Sequence, residues 1–351
     1  MNRILIAGCG DIALRVARNL PGKHQIFGLL RNPARQAELR EAGITPLMGD
    51  LDKPRSLQRL AGLAHTVLHF APPPTATLET GAAKTTPLVD TRTRSLLAAL
   101  SQGKLPQRLI YISTSGVYGD CQGAAVNETR PLHAQTPRAQ LRVSAEKQIR
   151  DWAKRNGVHA SILRVPGIYA AERLPVERIK KGTPAIVDAE DGYTNHIHAD
   201  DLARCVIAAL QRAKPNRTYH TVDDSRMKMG EYFDAVADAF ALPHAPRVTR
   251  AEAQKVLSPM LLSFMNESRR LSNTRMKQEL RVVMHYPTVA AALDKILSDA
   301  PRSLPHPNPP PAGEGTNEAL PEFDIKPRYS TESAAPASAS PRLTQLSLPL
   351  F

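Results

Sequence analysis

The chain has 351 residues, 42% of them apolar, with a net charge of +13 and three cysteines. That length and apolar share supply a sizeable core and exclude a wholly disordered chain. Three cysteines exclude a disulfide scaffold and fit a reducing, cytoplasmic setting, while the positive balance admits nucleic-acid, membrane-surface or phosphate-bearing partners and chooses none of them.

No apolar run approaches the ~20 residues that cross a bilayer, so no membrane partner is expected. Residues 6–9 have the outline of a lipoprotein cleavage box. The apolar stretch ahead of Cys9 covers only residues 4–7, against ~7–15 in a signal segment, so it reads as a buried strand entering a glycine turn. Further short apolar runs follow at 26–30, 44–48, 66–70, 109–112 and 160–163, each succeeded by a helix-period stretch or a Pro/Gly break. This alternation predicts an α/β Rossmann lobe over 1–168, a doubly wound parallel sheet with helices on both faces. From Tyr169 helical periodicity dominates, at 201–211, 230–240, 251–257 and 274–280. It predicts a smaller, mostly helical substrate lobe over 169–298, with strand exchange between the lobes allowed. Beyond it, eleven of the thirty prolines lie from Pro301 onward, amid PHPNPPPAGEG and TESAAPASASP. Such composition cannot repay the entropy of folding, so 299–351 reads as a disordered Pro/Ala/Ser-rich tail. Residues 301–351 carry −1, which leaves +14 on the rest of the chain.

The first strand runs into Gly8-Cys9-Gly10-Asp11-Ile12-Ala13 and then a helix over 14–20. This is G-x-G-x-x-G/A in its strand–turn–helix setting, the pattern of a dinucleotide site. Gly8 permits the tight turn, Gly10 lets a pyrophosphate approach the backbone, and Ala13 lets the helix pack on the strand. The phosphates would sit on the helix's first amides, at Asp11 and Ile12. The bland alternative is a strand–helix turn that simply needs small residues. The second strand ends in Arg31-Asn32-Pro33, without the acid that binds ribose hydroxyls. Arg31 offers a guanidinium to a 2′-phosphate, which favours NADP, with NAD and a merely solvated arginine as alternatives.

Several further motifs occur in order. They are Gly49-Asp50-Leu51, His69-Phe70-Ala71-Pro72, Tyr111-Ile112-Ser113-Thr114-Ser115-Gly116-Val117-Tyr118-Gly119, Arg164-Val165-Pro166-Gly167-Ile168-Tyr169, His196-Ile197-His198-Ala199-Asp200-Asp201-Leu202-Ala203 and Ser272-Asn273-Thr274-Arg275. Through them the chain, from Asn2 to about residue 297, resembles the extended short-chain dehydrogenase/reductases, in particular atypical NAD-dependent epimerase/dehydratase-like members. The resemblance implies adenine contacts at Asp50 and Leu51 and a cofactor-lining turn at Ala71. It also implies a small, sugar-related substrate. In that superfamily a tyrosine is the general acid/base, a lysine four residues on lowers its pKa and holds the nicotinamide ribose, and a Ser/Thr orients the substrate oxygen. The alignment gives the hydroxyl role to Thr114, but puts Arg138 where tyrosine belongs and Arg142 where lysine belongs. None of Tyr111, Tyr118, Tyr169, Tyr193, Tyr219, Tyr232, Tyr286 and Tyr329 has a lysine at +4.

Arg142 can hold a ribose or phosphate as a fixed cation, whereas Arg138 cannot exchange a proton near neutrality. Three outcomes stay open: another proton donor, with His196 and His198 as candidates beside their structural reading; a hydride transfer that needs no tyrosine; or NADP(H) binding without turnover by a regulator or adaptor.

The last seven residues, 345–351, read QLSLPLF. They resemble the peptides that dock in the hydrophobic pocket of the bacterial DNA polymerase sliding clamp, with Gln345 as the amide and Leu348, Leu350 and Phe351 as anchors. A translated intergenic repeat is the competing explanation of the tail. No helix-turn-helix, zinc-finger spacing or aromatic-studded basic strand points to direct nucleic-acid binding. The scattered Cys9, Cys121 and Cys205 point to no metal.

Overall fold

The computed structural model describes residues 2–74 and 88–299; the tail reading and the clamp-like residues 345–351 lie outside them. Seven strands form one parallel sheet: β1 (Asn2–Ala7), β2 (His24–Leu30), β3 (Ile44–Met48), β4 (Thr66–His69), β5 (Arg108–Thr114), β6 (His159–Val165) and β7 (Arg217–His220). Their order is β7-β6-β5-β4-β1-β2-β3. Ile4, Leu5, Ile6 and Ala7 are all fully buried, as a central strand covered on both faces requires. Strand order reverses between β1 and β4, and an open α/β sheet binds ligands in the crevice beyond the carboxyl ends of its strands at such a point.

Helices cover both faces. On one, α1 (Asp11–Asn19) meets α4 (Ala199–Arg212) through Leu14 and Val16 against Leu202, Val206 and Ala209. On the other, α2 (Thr91–Leu100) and α3 (Pro137–Asn156) join Leu96, Leu97 and Leu100 to Ala145, Ile149 and Trp152. The 20-residue α3 starts where Thr136 accepts the Ala139 amide (3.2 Å) with Pro137 at the first position, and stops at Gly157 in the left-handed region (φ +65°). These are standard start and stop devices.

The doubly wound parallel sheet matches the expectation from sequence. β7 comes from the later segment and joins the sheet beside β6. Its sequence, Arg-Thr-Tyr-His, has no apolar run, although Thr218, Tyr219 and His220 are buried. The remaining later residues form α5 (Met229–Ala239) and α6 (Val289–Asp299), packed around Tyr169, Ile179, Tyr232 and Phe233. Several two-stranded pairs tie them down, among them Ala125–Val126 with Arg270–Leu271. Residues 274–280 are helical as expected, with a π-turn over Met276–Leu280. Among the described residues no helix is long and apolar enough to cross a membrane.

Burial pushes the imidazoles of His69, His196 and His220 from 6.5 down to about 3, while it pushes the Asp223 carboxyl from 3.8 up to about 7. Each histidine gains a proton only on unfolding, so its contribution to stability is present above 6.5 and lost as pH falls. Asp223 has the opposite sign, since its contribution is present near pH 4 and lost as pH rises to 7. At pH 5 the three histidines outweigh Asp223, so unfolding takes up protons and stability falls on acidification. The thermal midpoint should drop steeply from pH 6.5 to 5 and stay level from 7 to 8; a flat profile below 6.5 would contradict this account.

Candidate functional site

The carboxyl edge of the sheet collects most of the residues singled out in the sequence. At the end of β1, Gly8 adopts φ +104°, and the Phe70 and Ala71 amides donate to Ala7 O at 2.7 and 2.9 Å. A Cβ on Gly8 would collide with the Ala71 amide nitrogen and lie 2.7 Å from Ala71 Cα. The turn is therefore locked to the segment leaving β4. Gly10 is the N-cap of α1, with extended backbone and no side-chain cap. A Cβ built there meets nothing within 4 Å. An uncapped helix N-terminus facing open space, approached over a residue without a side chain, is what a dinucleotide phosphate needs. The nicotinamide cofactor fits these residues.

Ala13 is fully buried between α1 and the sheet. The Asp11 carboxylate beside it is held by Arg15 Nε (2.9 Å) and Arg173 Nη2 (2.8 Å), and Arg15 also binds Asp200 (2.6 Å) and Glu172. Ile12 is half-buried next to Asp11. Beyond β2, Arg31 is 69% exposed, with only a 4.0 Å approach to Asp52 Oδ2; its guanidinium is available to a ligand. Beyond β3, Asp50 Oδ1 accepts the Asp52 amide (3.0 Å), and Leu51 is buried with Ala71 and Leu29. Gly8, Gly10, Asp11, Ile12, Ala13, Arg31, Asp50, Leu51 and Ala71 thus follow the carboxyl ends of β1, β2, β3 and β4. Cys9, in the middle of the turn, is an inert thiol pushed up to about 12 by burial.

The other half of the site follows β5. Thr114 is half-buried, and its Oγ1 accepts the Gly116 amide (3.2 Å). Arg142, from α3, is buried; its Nη1 donates to Tyr111 OH (2.9 Å) and Ile112 O (2.8 Å), while Nε has no partner among the described residues. One turn earlier on the helix, Arg138 is half-buried, and burial together with the Arg142 charge lowers its pKa.

The histidines are otherwise employed. His198 Nδ1 accepts the Asp200 amide at the start of α4 (3.2 Å), and its ring stacks on Tyr286 at 3.7 Å. His196 is enclosed between Tyr169 and Tyr232. Tyr118 is fixed in a buried network. His220 Nδ1 faces the Ser272 carbonyl, so Nε2 accepts the Tyr118 hydroxyl (2.6 Å), which in turn accepts from Arg164 Nη1 (2.6 Å). Burial pushes that phenol up to about 12.

Two residues that the sequence reading passed over complete the site. Arg269, 8% exposed, donates through Nη1 to Gly119 O (2.8 Å) and Glu267 Oε2 (2.7 Å), and its Nη2 reaches Ser115 Oγ (3.4 Å). A Cβ on Gly116 would stand 3.7 Å from Glu267 Oε2 and 3.6 Å from Thr114 Oγ1. The later segment thereby lays a carboxylate on the turn that carries Thr114. No spacing rule links residues 267 and 114; only the glutamate's isolation among the Arg-rich residues 267–270 hints at it.

A model of the NAD-dependent epimerase/dehydratase family matches residues 4–222. Among curated proteins, an uncharacterised protein of Schizosaccharomyces pombe is 24% identical over 307 residues, covering 85% of this chain and 99% of its own. A dTDP-glucose 4,6-dehydratase of Mycobacterium tuberculosis is 25% identical over 244 residues, covering 62% and 71%. Among solved structures, a conserved protein of unknown function from Silicibacter pomeroyi is 28% identical with a TM-score of 0.68, covering 86% of this chain and 99% of that one. A Streptomyces venezuelae dTDP-glucose 4,6-dehydratase with NAD bound shares the fold at TM-score 0.66 and 19% identity, covering 84% and 96%.

Proposed function

Because the chain belongs to the NAD-dependent epimerase/dehydratase family, we propose that it is a cytoplasmic, NADP-preferring enzyme of oxidoreductase or epimerase/dehydratase type, acting on a small, sugar-related alcohol or ketone. The observation that carries this reading is the open, uncapped start of α1 at Gly10. Gly8, Gly10, Asp11, Ile12 and Ala13 seat the diphosphate, Asp50 and Leu51 the adenine, and Ala71 lines the cofactor. Arg31 pairs with the 2′-phosphate. Arg142, with one nitrogen already given to Tyr111 and Ile112, presents the rest of its guanidinium to the ribose, and Thr114 orients the substrate oxygen. The bound nicotinamide supplies the hydride donor or acceptor. The sugar class comes from the relatives.

Fluorescence titration tests the cofactor choice. Wild type should bind NADPH about tenfold or more tighter than NADH, and Arg31→Ala should bring the two affinities together, since a charge-assisted pair with a phosphate is lost. Equal affinities in wild type would remove the NADP assignment.

A second reading draws on Arg138 and Arg142, which stand where the family's proton-transfer pair is expected. Here the protein binds NADP(H) without turnover, and residues 345–351 dock it on the DNA polymerase sliding clamp through Leu348, Leu350 and Phe351. The apolar end of an otherwise polar tail supports that partner.

A further inference from the structure

We propose that Glu267 is the catalytic proton carrier of this site, in the role left vacant by the missing tyrosine. The assignment rests on the enzymatic reading above. Three observations support it.

The first is placement. Glu267 Oε2 and Thr114 Oγ1 flank the same point in space, 3.7 and 3.6 Å from where a Gly116 side chain would begin. Gly116 itself puts no side chain between the orienting hydroxyl and the carboxylate.

The second is rigidity. The residues around Glu267 are stitched to the loop after β5. Ser268 N donates to Asp120 Oδ1 (2.9 Å), Ser268 O accepts the amides of Cys121 and Gly123 (3.0 Å each), and Ser268 Oγ accepts the Tyr193 amide (2.9 Å). Arg269 holds Oε2 at 2.7 Å from within the same turn. Oε2, the oxygen beside Thr114, is thereby positioned, and its second lone pair is left to accept a proton.

The third is chemistry. Arg138, Arg142 and Arg269 cannot exchange a proton near neutrality. Tyr118 and His198 are committed to hydrogen bonds elsewhere, and His196 is sealed between aromatic rings. A carboxylate can do the work. In the oxidative direction, the carbinol C–H bond breaks with hydride passing to the nicotinamide, the O–H bond breaks with its proton passing to Glu267, and a carbonyl forms. The alcohol loses two electrons and the cofactor gains them; the reverse direction returns the proton from the carboxylic acid.

The test uses the full chain, NADPH and the dicarbonyl probe 9,10-phenanthrenequinone, with Glu267→Gln keeping shape and the contact to Arg269. The expected result is a rate loss of about 100-fold or more, with unchanged NADPH affinity and thermal midpoint. Undiminished turnover in Glu267→Gln overturns the assignment and leaves the enzymatic reading intact. A rate loss matched by a fall in thermal midpoint or in NADPH affinity makes the residue structural and also overturns it. Wild type that binds NADPH but reduces nothing overturns both the assignment and the catalytic reading. Failure to bind NADPH overturns the cofactor proposal itself.

Discussion

Replacing Glu146 by alanine should cost roughly 3–5 kcal/mol of folding stability, the range for removing one member of a buried ion pair. Glu146 and Arg164 have side chains only 2% and 4% exposed. Glu146 Oε1 accepts from Ser113 Oγ (2.7 Å) and Arg164 Nε (3.0 Å), and Oε2 accepts from Arg164 Nη2 (2.7 Å). Deleting the glutamate strands a guanidinium inside the protein, with only Tyr118 and the Glu128 carbonyl left to it. The double change Glu146→Met/Arg164→Met should be markedly less harmful than either single loss, because no buried charge remains unpaired. Urea denaturation checks both, and a Glu146→Ala cost below about 1 kcal/mol, the worth of an exposed pair, would contradict the account. The pair also explains why Tyr118 is no substitute for the missing acid: Arg164 and His220 hold its hydroxyl for packing.

The two glycines of the first turn should separate folding from binding. Gly8→Ala needs a Cβ where the Ala71 backbone already stands, at φ +104°. It should destabilise by several kcal/mol, through backbone strain and a clash that no side chain can relieve. Gly10→Ala should leave the thermal midpoint nearly unchanged, since Gly10 has φ −86° and open space ahead of it. Its methyl group projects where the pyrophosphate approaches. NADPH affinity should therefore fall by about 100-fold, some 2.7 kcal/mol. Calorimetry on the folded variant measures this. Gly10→Ala that binds as tightly as wild type would place the phosphates elsewhere.

How far the sequence could be read follows from the range of the interactions. β1, β2, β4, β5 and β6 announce themselves because central parallel strands are buried on both faces and appear as apolar runs, and the edge strand β3 is apolar as well. The glycine turn is legible because backbone geometry and phosphate approach act within six residues. β7 is not, since its sequence, Arg-Thr-Tyr-His, has no apolar run although three of its residues are buried. Arg142 was recognisable as a cation at the family's lysine position, yet only the fold shows its Nη1 given to Tyr111 and Ile112. For His198 the sequence leaves a proton-donor and a structural role open. Its ring nitrogen caps α4. Glu267 and Arg269 were invisible because they reach Thr114 and Ser115 across some 150 residues of chain, a distance no local pattern encodes.

The most direct test of the central claim is a crystal structure of the full chain with NADPH. The account predicts the diphosphate on the amides of Asp11 and Ile12, the 2′-phosphate against Arg31, and the nicotinamide end beside Thr114. A cofactor whose diphosphate lies away from the Gly8–Gly10 turn would contradict it.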